Sequence, residues 1–426
     1  MGIFRSNLKA GHGALLKNTL MLELLQISTY VLALAAVPYE TRVLGPQMYG
    51  VLGAATAIMV YFQLVVDFGF LLSATEDVAS HRDDQGYLRR LLTAVTCNKL
   101  LLTVLSGVLL LVLCGIIPQW REKTGLYFLF FLATVCTSMM PDYLYRGLES
   151  MTAITVRTVA IRGFFTAAIF FVLKKPEDIW VVPVLNIIGN GIAMVLAYAD
   201  LAKRFGVRFT RVGWKDIGAA LKRSATFFLS RIASTAYTAL NTIILDLISA
   251  GGGATGFYTA SDKLITTGKN VLSPISDSLY PYMARNRDFK LVKKLLLTAM
   301  PMITVFCAGC FIWAEPLCIL VFGEEYGPAG QVLRAMLPVG IIVLPNYVLG
   351  FPTLGAMGLS KYANYSVIFG SVLHLCNLMI LWFTGQMNMV TLAAMVSVAE
   401  LSILVFRIVV IVRNRDRMEA GKEASQ

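Results

Sequence analysis

The chain has 426 residues, of which 57% are hydrophobic and 15% charged, and a formal net charge of +12. A soluble domain carries about 25% charged and roughly 45–50% apolar residues, so water-soluble enzymes, nucleic-acid binders and disordered chains fit poorly. The mean hydropathy of +0.69 agrees, and the positive balance reads as basic cytoplasmic loops of a membrane protein.

A spanning helix needs about 20 mostly apolar residues. Twelve such runs follow in chain order, near 18–38, 48–74, 89–114, 124–146, 151–173, 179–200, 219–249, 255–283, 291–322, 329–355, 361–384 and 388–412. Residues 1–16 are polar and basic and the first apolar run is long enough to span, so no cleavable leader is expected. With the N-terminus inside, 24 cations fall in cytoplasmic segments and five outside. That asymmetry predicts cytoplasmic N- and C-termini and an even number of spans.

The longest loop, 201–218, is basic and reads K-R-F-G-V-R-F-T-R-V-G-W-K from Lys203 on. It predicts a linker or surface helix lying on anionic lipid. The expected organisation is an N-terminal six-helix lobe over 1–200, this linker, a C-terminal six-helix lobe over 219–412 and a cytoplasmic tail over 413–426. An internal repeat supports the division. Arg89-Arg90-Leu91-Leu92 resembles Lys293-Lys294-Leu295-Leu296, and Pro141-Asp142-Tyr143-Leu144 resembles Pro345-Asn346-Tyr347-Val348, both at an offset of 204. Gly50 and Gly256 match at nearly the same offset. Halves with an even number of spans cross in one sense. The fold class predicted is therefore an all-α membrane protein, its two six-helix lobes related by a pseudo-two-fold along the membrane normal. Proteins of this build keep a substrate cavity between their halves.

Charges inside the spans carry the functional signal. Lys99, Arg157, Arg334 and Arg407 lie near enough to span ends to snorkel. Arg162, Arg231, Lys263 and Lys269 lie deeper, and four lipid-facing charges would cost on the order of 10–14 kcal/mol. Two readings stand: structural ion pairs joining helices, or a hydrated cationic path for an anionic substrate. The eighth span is the most polar, with Asp262 and Lys269 seven residues apart on one face. Candidate acids for ion coupling are Asp67, Asp262, Glu400 and Glu23. Pro141 and Pro345, matched in the repeat, predict a kink in each half.

The seven cysteines lie in apolar runs and read as packing residues. No P-loop, His-rich metal site or G-x-S-x-G motif occurs. No catalytic residue, metal or cofactor is expected.

The run Pro38-Tyr39-Glu40-Thr41-Arg42-Val43-Leu44-Gly45-Pro46-Gln47-Met48-Tyr49-Gly50 resembles the Wzx-type polysaccharide flippases, the O-antigen repeat-unit family of the multidrug/oligosaccharidyl-lipid/polysaccharide exporter superfamily. Val66-Asp67-Phe68-Gly69-Phe70, Pro141–Glu149 and Gly256–Lys263 continue the resemblance. It implies two six-helix lobes and a polyprenyl-diphosphate-linked glycan as substrate, flipped from the inner to the outer leaflet of the cytoplasmic membrane. Membrane lipids, H⁺ or Na⁺ and a polysaccharide polymerase are the further partners considered. A diphosphate needs Arg or Lys in a water-poor setting, so Arg231, Lys269, Arg162 and Lys263 are the substrate-binding candidates. The rivals are a multidrug-type cation-coupled exporter and a polytopic glycan polymerase or glycosyltransferase. The first favours an acidic cavity and the second a large outer loop with catalytic acids, and neither feature is seen.

The topology is open to a direct check. A Thr210→Cys reporter in a cysteine-free background is expected to react with an impermeant thiol reagent only after the cells are opened. Strong labelling of intact cells would reverse the orientation.

Overall fold

The computed structural model describes the backbone of residues 2–235, 239–249 and 252–416. It describes side chains from 21 onward, except 22–27, 29–30, 33, 229–230 and 233–235. Among these residues all regular structure is helical. The helices are α1 (Gly2–Asp67), α2 (Phe70–Ser80), α3 (Gln85–Ile116), α4 (Pro118–Arg121), α5 (Thr124–Ser138), α6 (Asp142–Gly147), α7 (Met151–Val172) and α8 (Val181–Arg204). There follow α9 (Trp214–Thr235), α10 (Leu240–Ser249), α11 (Ala254–Asn286), α12 (Phe289–Ile312), α13 (Ala314–Phe322), α14 (Ala329–Val348), α15 (Ser360–Phe383) and α16 (Met389–Arg413).

Nine stretches among the described residues are long and apolar enough to cross a membrane. The other three expected spans fall on α1 before its break, on α9 with α10, and on α11. Polar residues hold α11 below the apolar threshold: Ser261, Asp262, Thr266, Lys269 and Asn270 lie within ten positions. The break in α1 is at Gly45, where φ is +66° and ψ 173°. That backbone region penalises a side chain and suits glycine, and Pro46 then starts a new helical segment.

Two compact units form. The first comprises Met1–Ala36 and Ala55–Ile232, the second Val37–Ala54 and Ala233–Gln426. The core of the first packs Phe70, Val78, Leu88, Leu92, Tyr145 and Leu201. The stretch 201–218 lies wholly in this unit, and residues 206–213 are not helical. Gly206 turns the chain at φ +66°, and Val207 drops into the core at 1% exposure. The Gly206 carbonyl accepts from Arg89 Nε at 3.0 Å and the Thr210 N–H donates to Thr93 Oγ1 at 3.0 Å. Residues 206–213 are thus a non-helical linker strapped to α3.

The second unit holds two apolar clusters, one around Met283, Leu344, Val348 and Leu354, the other around Leu245, Tyr258, Val332 and Leu392. The segment 37–54 joins it by close backbone approach to α11. A Cβ on Gly50 would sit 2.9 Å from the Gly256 nitrogen, and one on Gly256 would run into the Pro46 carbonyl. The glycines matched in the repeat therefore face each other. Overpacking a tight contact costs about 1–3 kcal/mol, so Gly256→Ala is expected to lower thermal stability. Gly268→Ala, with nothing near its Cβ, is the control and should be neutral or slightly stabilising; equal effects would refute the contact.

Candidate functional site

The second unit carries a polar chain through four helices. The span begun by α14 contains Pro338 and Pro345 and opens into a wide turn, Leu349–Leu354, where Gly350 leaves helical geometry at ψ −125°. Asn346, beside that opening, donates from Nδ2 to Glu400 Oε2 at 2.9 Å and to the Glu400 carbonyl at 3.1 Å. Lys269 Nζ on α11 reaches Glu400 Oε1 at 2.6 Å. Arg407, two turns beyond Glu400 on α16, donates to the Asn346 carbonyl and, from Nε, to Ser366 Oγ on α15 at 2.9 Å. A Cβ on Gly350 would crowd Arg407 Nη1 at 2.8 Å, so glycine there admits the guanidinium to the break.

The first unit solves the same problem with different residues. Its equivalent span breaks between α5 and α6, at Met139–Pro141. Lys99 on α3 donates to the Ser138 carbonyl and pairs with Asp67 Oδ1 at 3.4 Å. Arg157 on α7 pairs with Asp142 Oδ1 at 2.5 Å and lies over the Tyr145 ring. Tyr145 Oη in turn donates to the Ala197 carbonyl at 2.9 Å and to Asp200 at 2.8 Å.

The expected snorkelling of Lys99 and Arg407 is corrected. They are 5% and 7% exposed and donate to carbonyls freed by helix breaks, where a buried acceptor rewards a charged donor more than the route to water does. Arg157 is likewise committed inward. Of the substrate-binding candidates, Lys269 is ion-paired, Arg162 and Lys263 have exposed side chains and Arg231 is half-buried. The four are spread over three helices, α7, α9 and α11. Of the coupling candidates, Asp67 and Glu400 each hold a lysine, and Asp262 lies within electrostatic reach of Lys263 and Lys269. The Glu23 side chain lies outside the described residues. Sequence reasoning missed Asn346 and Arg407 as network members, and the buried acid Glu40, which lies within electrostatic reach of Lys263. Pro141 was an available signal, since it stands at the break between α5 and α6, whereas Pro345 lies inside α14 and the opening there comes at Gly350. Among the described residues no three His, Cys, Asp or Glu side chains gather as a metal site.

Six-helix halves, each with a broken span tied by buried charge, define a polytopic membrane protein of transporter fold. The fold matches a lipid II flippase, MurJ, in an inward closed conformation, with a TM-score of 0.67, 13% identity and coverage of 91% of this chain and 87% of that one. It also matches an inward-facing multidrug resistance MATE family transporter of the MOP superfamily, at TM-score 0.65 and 15% identity over 96% of this chain and all of the other. The chain belongs to the family described as "Polysaccharide biosynthesis protein", which matches residues 15–287. It is 24% identical over 347 residues to the Escherichia coli (strain K12) protein named "Putative O-antigen transporter", covering 80% of this chain and 83% of that protein. A protein of the same name from Shigella dysenteriae is 24% identical over 365 residues, covering 84% and 91%.

The Lys269–Glu400 pair yields an asymmetric prediction. The Lys269 side chain is 25% exposed and Glu400 only 7%. Lys269→Ala strands a buried carboxylate and should cost up to about 3–5 kcal/mol, whereas Glu400→Ala leaves a lysine able to turn to water and should cost less. A thermal-unfolding double-mutant cycle reads the coupling; additive effects would remove the pair.

Proposed function

We propose that the protein is a flippase carrying a polyprenyl-diphosphate-linked oligosaccharide from the inner to the outer leaflet of the cytoplasmic membrane by alternating access. One observation carries the reading. On helices of membrane length, Arg162 and Lys263 present exposed, positively charged side chains. Such charges are tolerated only where water or a counter-charge reaches them, and exposed cations of this kind suit an anionic substrate.

Diphosphate chemistry matches such cations, because guanidinium and ammonium groups bind phosphate oxygens through short charge-assisted hydrogen bonds. Arg231, Lys269, Arg162 and Lys263 are assigned to the head group. Asp67, Asp262 and Glu400 are assigned to ion coupling, and a proton or Na⁺ arriving at Glu400 would release Lys269 for the substrate. Two negative charges leaving an inside-negative cell gain roughly 4.6 kcal/mol per 100 mV, so the membrane potential favours export. The names of the relatives, O-antigen transporter and lipid II flippase, support a lipid-linked glycan as cargo. The inner membrane, inward-facing termini and a downstream polymerase complete the proposal.

Proteoliposomes holding a defined polyprenyl-diphosphate glycan test it. Exposure of the glycan to an added glycosidase, driven by a membrane potential with or without a pH or Na⁺ gradient, is the expected result. Efflux of cationic drugs without glycan flipping would give the multidrug reading instead.

A further inference from the structure

Within the first unit, a polar pocket of about 160 Å³ lies among the break after α5, α6, α7 and α8. Asp142, Arg146, Thr158, Arg162 and Asn190 line it, and Ala193 forms part of its apolar wall. Three of these elements belong to stretches long and apolar enough to span a membrane, so the pocket is enclosed by helices that otherwise shun charge.

The charges in it do not cancel. Asp142 pairs with Arg157 at 2.5 Å and lies within electrostatic reach of Arg162, so with Arg146 in the wall one acid stands among three cations. Arg146 makes no ion pair among the described residues, and its Nε is buried without a hydrogen-bond partner. A buried guanidinium N–H lacking an acceptor is costly in a folded protein, and its persistence beside a cavity points to an acceptor that the chain does not supply. The Thr158 hydroxyl and the Asn190 amide add neutral donors. A guanidinium group matches the oxygens of phosphate, bidentate and planar.

We infer that this pocket is an oxyanion subsite that receives a phosphate of the substrate's diphosphate, an inference that rests on the flippase reading. Arg146 is its principal ligand and Arg162 its second. The phosphate chemistry is shared with bulk phospholipid and with free phosphate, and the assignment here is to the diphosphate of the cargo.

The test titrates farnesyl diphosphate into the full-length protein in phosphatidylcholine nanodiscs by calorimetry. Wild type should bind it, and bind farnesyl monophosphate and farnesol progressively less well. Arg146→Gln and Arg162→Gln should each weaken binding roughly tenfold or more. Arg146→Lys should fall between them and wild type, because it keeps the charge but loses the fork. Ala193→Leu, which fills the pocket and leaves every charge in place, should also weaken it. Should Arg146→Gln fail to fold, Arg162→Gln and Ala193→Leu decide the matter. Wild-type affinity in those variants, absence of binding to wild type, or equal competition by phosphatidylglycerol or inorganic phosphate would overturn the subsite. The two readings separate. Glycan flipping that is unaffected by all the variants removes the subsite alone. Arg146-dependent diphosphate binding without flipping by wild type removes the transport reading alone.

Discussion

A helix that breaks within hydrocarbon exposes carbonyls that no water can reach, and each must find a donor in the protein. Both halves of this chain contain such a break in the corresponding span, after Ser138 and beside Asn346. In each a buried cation supplies the donor, Lys99 to the Ser138 carbonyl and Arg407 to the Asn346 carbonyl. The remaining polar architecture follows from this requirement. A cation drawn inward to satisfy a carbonyl needs further acceptors, and those it finds lie on neighbouring helices. Lys99 therefore ties α3 to Asp67 at the end of α1, and Arg407 ties α16 to Ser366 on α15.

The two halves share this device and diverge in charge at one matched position. Asp142 and Asn346 stand at equivalent places in the repeat, each just after the proline. The acid draws Arg157 into a direct pair. The amide brings no charge, and the Glu400 carboxylate packs against it and takes Lys269. One half thus places an acid on the broken span itself, whereas the other places it on a facing helix.

Much of the architecture was legible in the sequence, because apolar length, loop charge and repeat offset are properties of the chain alone. The all-α class, the break at Pro141 and the polar character of α11 all come from such features, whereas Pro345 lies inside α14 and the second unit's span opens at Gly350. Partner choice was not legible. Lys269 and Glu400 lie 131 residues apart, and their meeting depends on the rotation and depth of two helices, which no local pattern encodes. Lys99 and Arg407 were misplaced for a related reason. Distance to a span end suggests snorkelling, but the sequence does not display the carbonyl that competes for the charge. The strapping of residues 206–213 to α3 was not legible either, since Val207 enters the core of the first unit from a run that is otherwise basic. Nothing in the sequence shows that Arg146, at the end of the fourth apolar run, has an Nε buried without an acceptor beside a pocket.

Buried ion pairs are weak evidence of a need for stability, because well-packed hydrophobic replacements are often as stable or more so. A protein that holds Lys99–Asp67, Arg157–Asp142 and Lys269–Glu400 within its helical halves is therefore better explained by what the charges permit than by what they contribute to folding. The pairs are not alike in this respect. Lys99 and Arg157 are also engaged by a carbonyl, a sulfur or an aromatic ring at their own helix break, so moving either would undo the local fold. A quarter of the Lys269 side chain is exposed, while its partner is buried and held by Asn346. Of the three pairs, this is the one whose cation can change partner while the scaffold that positions the acid stays in place. A charge network built to satisfy helix breaks thereby includes one lysine, on the polar helix α11, whose side chain stays a quarter exposed beside a buried acid.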